Sequence, residues 1–120
     1  MATILVVEDE QAIRDLISVI LRSASHEIIT ASNGIEGIAL FRSSPERFDL
    51  VLTDLKMPAM SGHQLIKLAR ETSTGARIIS MSGYTGEPVP AGIEFLQKPF
   101  PPAVLLGRVR EMLKRPTNRS

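Results

Sequence analysis

A chain of 120 residues, 43% hydrophobic and 22% charged, has the size and composition of one globular domain with a buried core, which excludes a disordered or fibrous chain. Fourteen Lys and Arg stand against thirteen Asp and Glu, and a net charge of +1 supplies no strong field for nucleic acid or an anionic membrane. Disulfides and thiolate metal sites are excluded because there is no Cys, and MATILVVEDE has neither the basic flank nor the apolar length of a signal peptide or membrane span, so a cytoplasmic setting is expected.

Short apolar runs alternate with helical patterns. TILVV, Thr3 to Val7, predicts a first strand, and Ile13, Leu16, Ile17, Ile20, Leu21 and Ala24 then recur at the spacing of one helix face. HEIITA, His26 to Ala31, predicts a second strand, and Asn33 with Glu36 three residues on resembles a helix start for Ile35 to Phe41. DLVLT, Asp49 to Thr53, predicts a third strand, followed by Ser61 and Gln64 at capping-box spacing for a helix through about Glu71. RIISM, Arg77 to Met81, and IEFLQ, Ile93 to Gln97, predict strands four and five, and Val104 to Lys114 a last helix opened by Pro101 and Pro102 and closed by Pro116. Strand four lacks a clear helix after it. Apolar strands separated by helices mean a parallel sheet covered on both faces, in a single domain over residues 1–120 with a basic tail at 115–120 that reads as a solvated end.

In open parallel sheets ligands bind at the carboxyl ends of the strands. Glu8 and Asp9 follow strand one, Asp54 strand three, Ser82 and Gly83 strand four, and Lys98 and Pro99 strand five. Each alone has a structural explanation: a cap, a turn residue, a loop hydroxyl, a solvated cation. Together they place three carboxylates, a hydroxyl and an ammonium on one rim, and capping does not require four strands each to deliver a complementary group. Two carboxylates about 4 Å apart repel by roughly 1 to 4 kcal/mol, so the site calls for a cation. An all-oxygen ligand set selects a hard divalent ion, Mg²⁺. Such an ion would let a carboxylate accept a phosphoryl group, with Lys98 adding positive charge and Ser82 a hydrogen bond.

VVEDE, LTDLKMPAMSG, ISMSGY and FLQKPF, in that order and across the whole chain, resemble the receiver domain of two-component response regulators. The resemblance implies a flavodoxin-like, doubly wound α/β sheet of five parallel strands in the order 2-1-3-4-5. It implies Asp54 as phosphoacceptor, Asp9 as a direct Mg²⁺ ligand, Glu8 as a second acid acting through water, and Lys56 as a ligand through its backbone carbonyl. Ser82 and Lys98 would bind the phosphoryl group. Phe95 is similar to the switch aromatic, although an aromatic on an edge strand needs no such role. Lys98-Pro99 is a candidate cis peptide. A histidine kinase or a histidine phosphotransfer protein would be the donor, docking along helix one near Gln11, Arg14 and Asp15 and on the loop from Lys98 to Pro101. FLQKPF also resembles receivers attached to hybrid histidine kinases; a single-domain response regulator is the other architecture.

Two departures stand out. Glu8 is one methylene longer than the commoner Asp. Between strands four and five, GYTGEPVPAG holds three Gly and two Pro in ten residues, and Pro costs a helix interior about 3 kcal/mol and Gly about 1, so the family's fourth helix is expected to be absent or a single turn. Gly83-Tyr84 is similar to a branch in which a mobile loop replaces that helix. Enzymatic readings fail on single residues. A haloacid-dehalogenase-type phosphatase needs an acid where Lys56 stands, there is no Gly-Lys pair for a phosphate-binding loop, and Ser80 and Tyr84 replace the glycines of a serine-hydrolase elbow. A flavodoxin phosphate would be repelled by Glu8 and Asp9. The surviving alternative is a receiver-like docking module that works without phosphorylation. The downstream partner, the signal and the oligomeric state are not legible.

Overall fold

The computed structural model describes residues 2–73, 75–83 and 88–115. In chain order it contains β1 (Thr3–Val7), α1 (Gln11–Ser23), β2 (Glu27–Ala31), α2 (Gly34–Ser43), a 3₁₀ turn (Pro45–Arg47), β3 (Leu50–Asp54), α3 (Gly62–Thr72), β4 (Ile78–Ser82), β5 (Glu94–Gln97) and α4 (Pro102–Lys114). The five strands form one parallel sheet in the order β2-β1-β3-β4-β5.

Strands β3 and β4 are buried along their whole length, and β1 after its first residue, because both faces of the sheet are covered. Side chains alternate along each strand. Ile4, Val6, Leu50, Leu52, Ile79 and Met81 therefore face one core, with Ile17 and Leu21 of α1 and Leu105 and Val109 of α4. Leu5, Val7, Val51 and Ile78 face the other, with Ile38 and Phe41 of α2 and Leu65, Ile66 and Ala69 of α3. Both predicted caps form: Asn33 Oδ1 accepts from Glu36 N at 2.8 Å, and Ser61 Oγ from Gln64 N at 3.2 Å. Glu36 closes its turn on Ser32 N at 2.7 Å. Pro101 caps α4 and Pro102 opens it, as their missing N–H groups allow.

Three expectations need correction. Strands β3 and β4 lie one residue later than the apolar runs, and so include Asp54 and Ser82. Their ladders continue into these polar residues, Asp54 beside Met81 and Ser82 beside Gln97. Strands β2 and β5 begin one residue later, at Glu27 and Glu94. Leu16, assigned to the inner face of α1, is 59% exposed. At 100° per residue it lies roughly 90° from the centre of the arc set by Ile13, Ile17, Ile20 and Leu21. With Val19, 65% exposed, it leaves an apolar stripe on the outside of the helix.

Among the described residues no helix lies between β4 and β5. Residues 88–90 are irregular, and Ala91 and Gly92 form a turn in which Gly92 has φ +77°, a backbone angle suited to glycine. Tyr84 and the tail after Arg115 lie outside the described residues.

Candidate functional site

The strand ends bring the predicted polar residues to one edge of the sheet. The Lys98 ammonium lies between two acids, 2.6 Å from Glu8 Oε1 and 2.7 Å from Asp54 Oδ2. Glu8 is fully buried, and its second oxygen accepts from Glu10 N at 3.1 Å. Asp54 is buried, and its other oxygen accepts from Lys56 N at 3.3 Å. Asp9 is exposed at the mouth. Carboxylate oxygens of Glu8, Asp9 and Asp54 lie within 4.8 Å of one another, and a cavity of about 260 Å³ is lined by Asp9, Asp54, Lys56, Gly83 and Lys98.

Backbone bonds position these groups. Leu55 N donates to Met81 O at 2.9 Å and the Thr53 hydroxyl to Asp54 O at 3.0 Å, holding the end of β3. Lys98 N donates to Ser82 O at 2.8 Å, which fixes the lysine backbone beside the buried serine. The Lys98-Pro99 bond is cis. Phe95 sits beside Ser80 in the ladder, half-buried against the core under α2 and α3, and its carbonyl accepts from Arg108 at 2.9 Å.

Burial pushes the Glu8 carboxyl above its ordinary range, against the pull of the Lys98 hydrogen bond, the Glu10 N–H and the Lys98 charge. Burial draws the Lys98 ammonium down, but hydrogen bonds and charges from Asp54 and Glu8 outweigh it, and the group sits above its ordinary value. The lysine thus stays charged between the two acids.

Two contributors were given no part in the site by the sequence, although Gly62 closes the motif LTDLKMPAMSG. Arg14, assigned there to a docking surface, donates to Glu8 O at 2.9 Å and so braces the acidic turn from α1. Gly62 lies so close to β3 that a Cβ would stand 2.1 Å from Asp54 O; the glycine beside the Ser61 cap was the only hint.

The loop from Asp54 to α3 also holds a strained residue. Met60 N donates to Pro58 O at 2.8 Å across Ala59, whose φ of +70° is a left-handed angle for a residue with a Cβ. Ala59→Gly is expected to stabilise the protein by about 1 kcal/mol, read as a higher urea midpoint at unchanged slope. A lower midpoint would mean that the glycine's chain entropy outweighs the relieved strain.

A doubly wound parallel sheet in the order 2-1-3-4-5 with its polar groups gathered at the carboxyl ends of the strands defines the flavodoxin-like class of α/β domain. The chain belongs to the response regulator receiver domain family of two-component systems, whose profile matches residues 4–110. It is 33% identical over 120 residues to the sensor kinase CckA of Brucella abortus, covering 95% of this chain and 13% of that protein. It is 30% identical over 118 residues to the cell cycle response regulator CtrA of Brucella ovis, covering 93% of this chain and 50% of that protein. The response regulator TrrA of Thermotoga maritima, solved in complex with Mg²⁺ and BeF, superposes with a TM-score of 0.86 at 33% identity, covering 93% of this chain and 99% of that one. The chain therefore spans half or less of these two curated relatives. None of the described helices is long and apolar enough to cross a membrane.

Proposed function

We propose that residues 1–120 are one phosphoacceptor receiver domain, in which Asp54 takes a phosphoryl group from a histidine kinase or histidine phosphotransfer protein. The observation that carries this reading is the placement of Lys98 on both Asp54 and Glu8, with Asp9 in reach of the same space. The donor set is all oxygen and crowded with negative charge, which fits Mg²⁺ held by Asp9, Asp54 and the Lys56 carbonyl. The ion would screen the incoming phosphate and stabilise its oxygens during in-line transfer. Both oxygens of Glu8 are already engaged, which favours an outer role for it, through water.

The chain's own groups do the rest. Asp54 presents its carboxylate as nucleophile, held by Lys56 N and Lys98. Lys98 pairs with the added negative charge, and Ser82, buried at the end of β4, donates to the phosphoryl oxygens. Phe95, in register with Ser80 two residues before Ser82, is the side chain that would follow its movement. The exposed stripe of Leu16 and Val19, flanked by Gln11 and Asp15, and the exposed Pro101 and Val104 of α4, supply an apolar docking surface for a helical, histidine-bearing partner in the cytoplasm.

Incubation with acetyl phosphate and Mg²⁺ is expected to add the mass of one phosphoryl group, and Asp54→Ala to abolish the gain. No gain in the wild type would replace this reading with that of a docking module that works without phosphorylation.

A further inference from the structure

We propose that α3 clasps the segment from Pro88 to Gly92 at two points, and that this clasp fixes the resting position of β5 and opens when Asp54 carries a phosphoryl group. The second half rests on the phosphoacceptor reading above; the first does not. His63 Nε2 lies 2.6 Å from Pro88 O, and Arg70 donates to Ala91 O. His63 and Arg70 are two helical turns apart and so share one side of α3. Each reaches more than twenty positions along the chain, so these are tertiary bonds and not local turns.

The segment is shaped for this hold. Pro88 and Pro90 have no N–H to donate to a ladder or a helix, so this stretch bonds through its carbonyls, and those of Pro88 and Ala91 go to α3. Gly92 turns at φ +77°, and a Cβ there would come within 3.3 Å of the Arg70 guanidinium, so the turn is built to pass beneath it. The hold is polar and not packed. A cleft of about 440 Å³, lined by His63, Ile66, Lys67, Arg70, Glu71 and Pro90, lies between helix and segment, and Pro88, Val89, Ala91 and Gly92 are exposed. A segment bridged over a cleft by two bonds can let go without opening a core.

The described chain links this clasp to the site. Ile93 N donates to Pro90 O at 3.2 Å, tying the clasped turn to the start of β5. Strand β5 then runs in ladder with β4 to Lys98, whose backbone holds Ser82 O and whose ammonium holds Asp54. A group added to Asp54 displaces that ammonium and pulls on the strand from its far end. Two-state coupling is reciprocal, so opening the clasp must also favour the phosphorylated form.

Amide hydrogen exchange with NMR detection tests both halves, comparing the full chain with a His63→Ala/Arg70→Met variant. Without ligand, the Ile93 amide, which donates to Pro90 O in the clasped turn, is expected to exchange about tenfold faster in the variant than in the wild type, while core amides such as Leu52 keep their rates and report an intact fold. An equal rate at Ile93 would overturn the clasp. With Mg²⁺ and beryllofluoride as a phosphoryl stand-in, the wild type is expected to reach the variant's rate and the variant to gain nothing further. Ligand bound at Asp54, seen as a shift of its amide resonance, with the wild-type rate at Ile93 unchanged would overturn the coupling. No binding at Asp54 would overturn the phosphoacceptor reading and the coupling with it, and leave the ligand-free result to decide the clasp.

Discussion

Gly62→Ala is expected to destabilise the protein by about 3 kcal/mol or more, a large share of the 5 to 15 kcal/mol that holds a domain of this size together. The added Cβ would stand 2.1 Å from Asp54 O, 2.6 Å from Leu55 Cα and 2.9 Å from Asp54 C. All three are backbone atoms at the end of a buried central strand, so no rotamer change relieves the clash. Either α3 backs away and loses the 2.9 Å bond from Gly62 N to Leu55 O, or Asp54 is pushed from its place beside Lys98. Gly107→Ala, in the middle of α4 with nothing within 4 Å of its Cβ, is the matched control. It is expected to stabilise by about 1 kcal/mol through helix propensity alone. Urea melts of both variants decide the matter: equal and opposite shifts of under 1 kcal/mol would show that β3 yields to the intruding methyl group. The same glycine that admits α3 to the sheet thus also sets where the carboxylate stands.

Local signals in the sequence carried the architecture, and contacts between distant elements account for what they missed. Five apolar runs and the Asn33 and Ser61 caps are properties of neighbouring residues, and they placed every strand and the first three helix starts to within a residue or two. Pro88, Pro90 and the glycines likewise foretold a connection from β4 to β5 with no helix among its described residues. The one-residue shift of β3 and β4 depends on ladder partners that no local pattern records. Leu16 was misplaced because its apolar side chain fits a helix face in spacing but falls at the rim of the arc that α1 buries. At the site, the convergence of Glu8, Asp9, Asp54, Ser82 and Lys98 followed from the rule that parallel strands present their carboxyl ends together. The pairing of Glu8 with Lys98 did not follow. It depends on where the end of β5 stands relative to the turn after β1, which only the folded chain shows.

Lys98→Ala is expected to cost about 3 kcal/mol near pH 7, because it strips two buried carboxylates of the one cation that neutralises both. Lys98 and Asp54 keep 14% and 8% of their side-chain exposure, which places the loss at the lower end for a broken buried pair; Glu8 at 0% has no water to turn to. The loss must depend on pH. Glu8 has a folded pKa raised above its ordinary 4.5, so its contribution is full below 4.5 and is lost as pH rises through the folded value. Removing the lysine removes the interactions that hold that value down, so both proteins lose stability alike from about pH 4.5 until Glu8 of the folded wild type ionises, and above that point only the variant goes on losing, which opens the gap. Lys98 has a folded pKa raised above 10.5, so the wild type loses its own advantage as pH rises through that value and the gap closes again. Stability difference against pH is therefore a broad dome, and a flat line in urea melts from pH 4 to 11 would show that Lys98 acts through packing and not charge. A divalent cation supplies the discriminating control. Millimolar Mg²⁺ is expected to raise the melting temperature of the wild type and to restore part of the variant's loss at pH 7, up to about 2.7 kcal/mol at a hundred times the dissociation constant. Because the ammonium and a metal on Asp9 and Asp54 would both neutralise Asp54, the variant should gain more from the ion than the wild type does; an equal gain would mean that the two cations act at separate places.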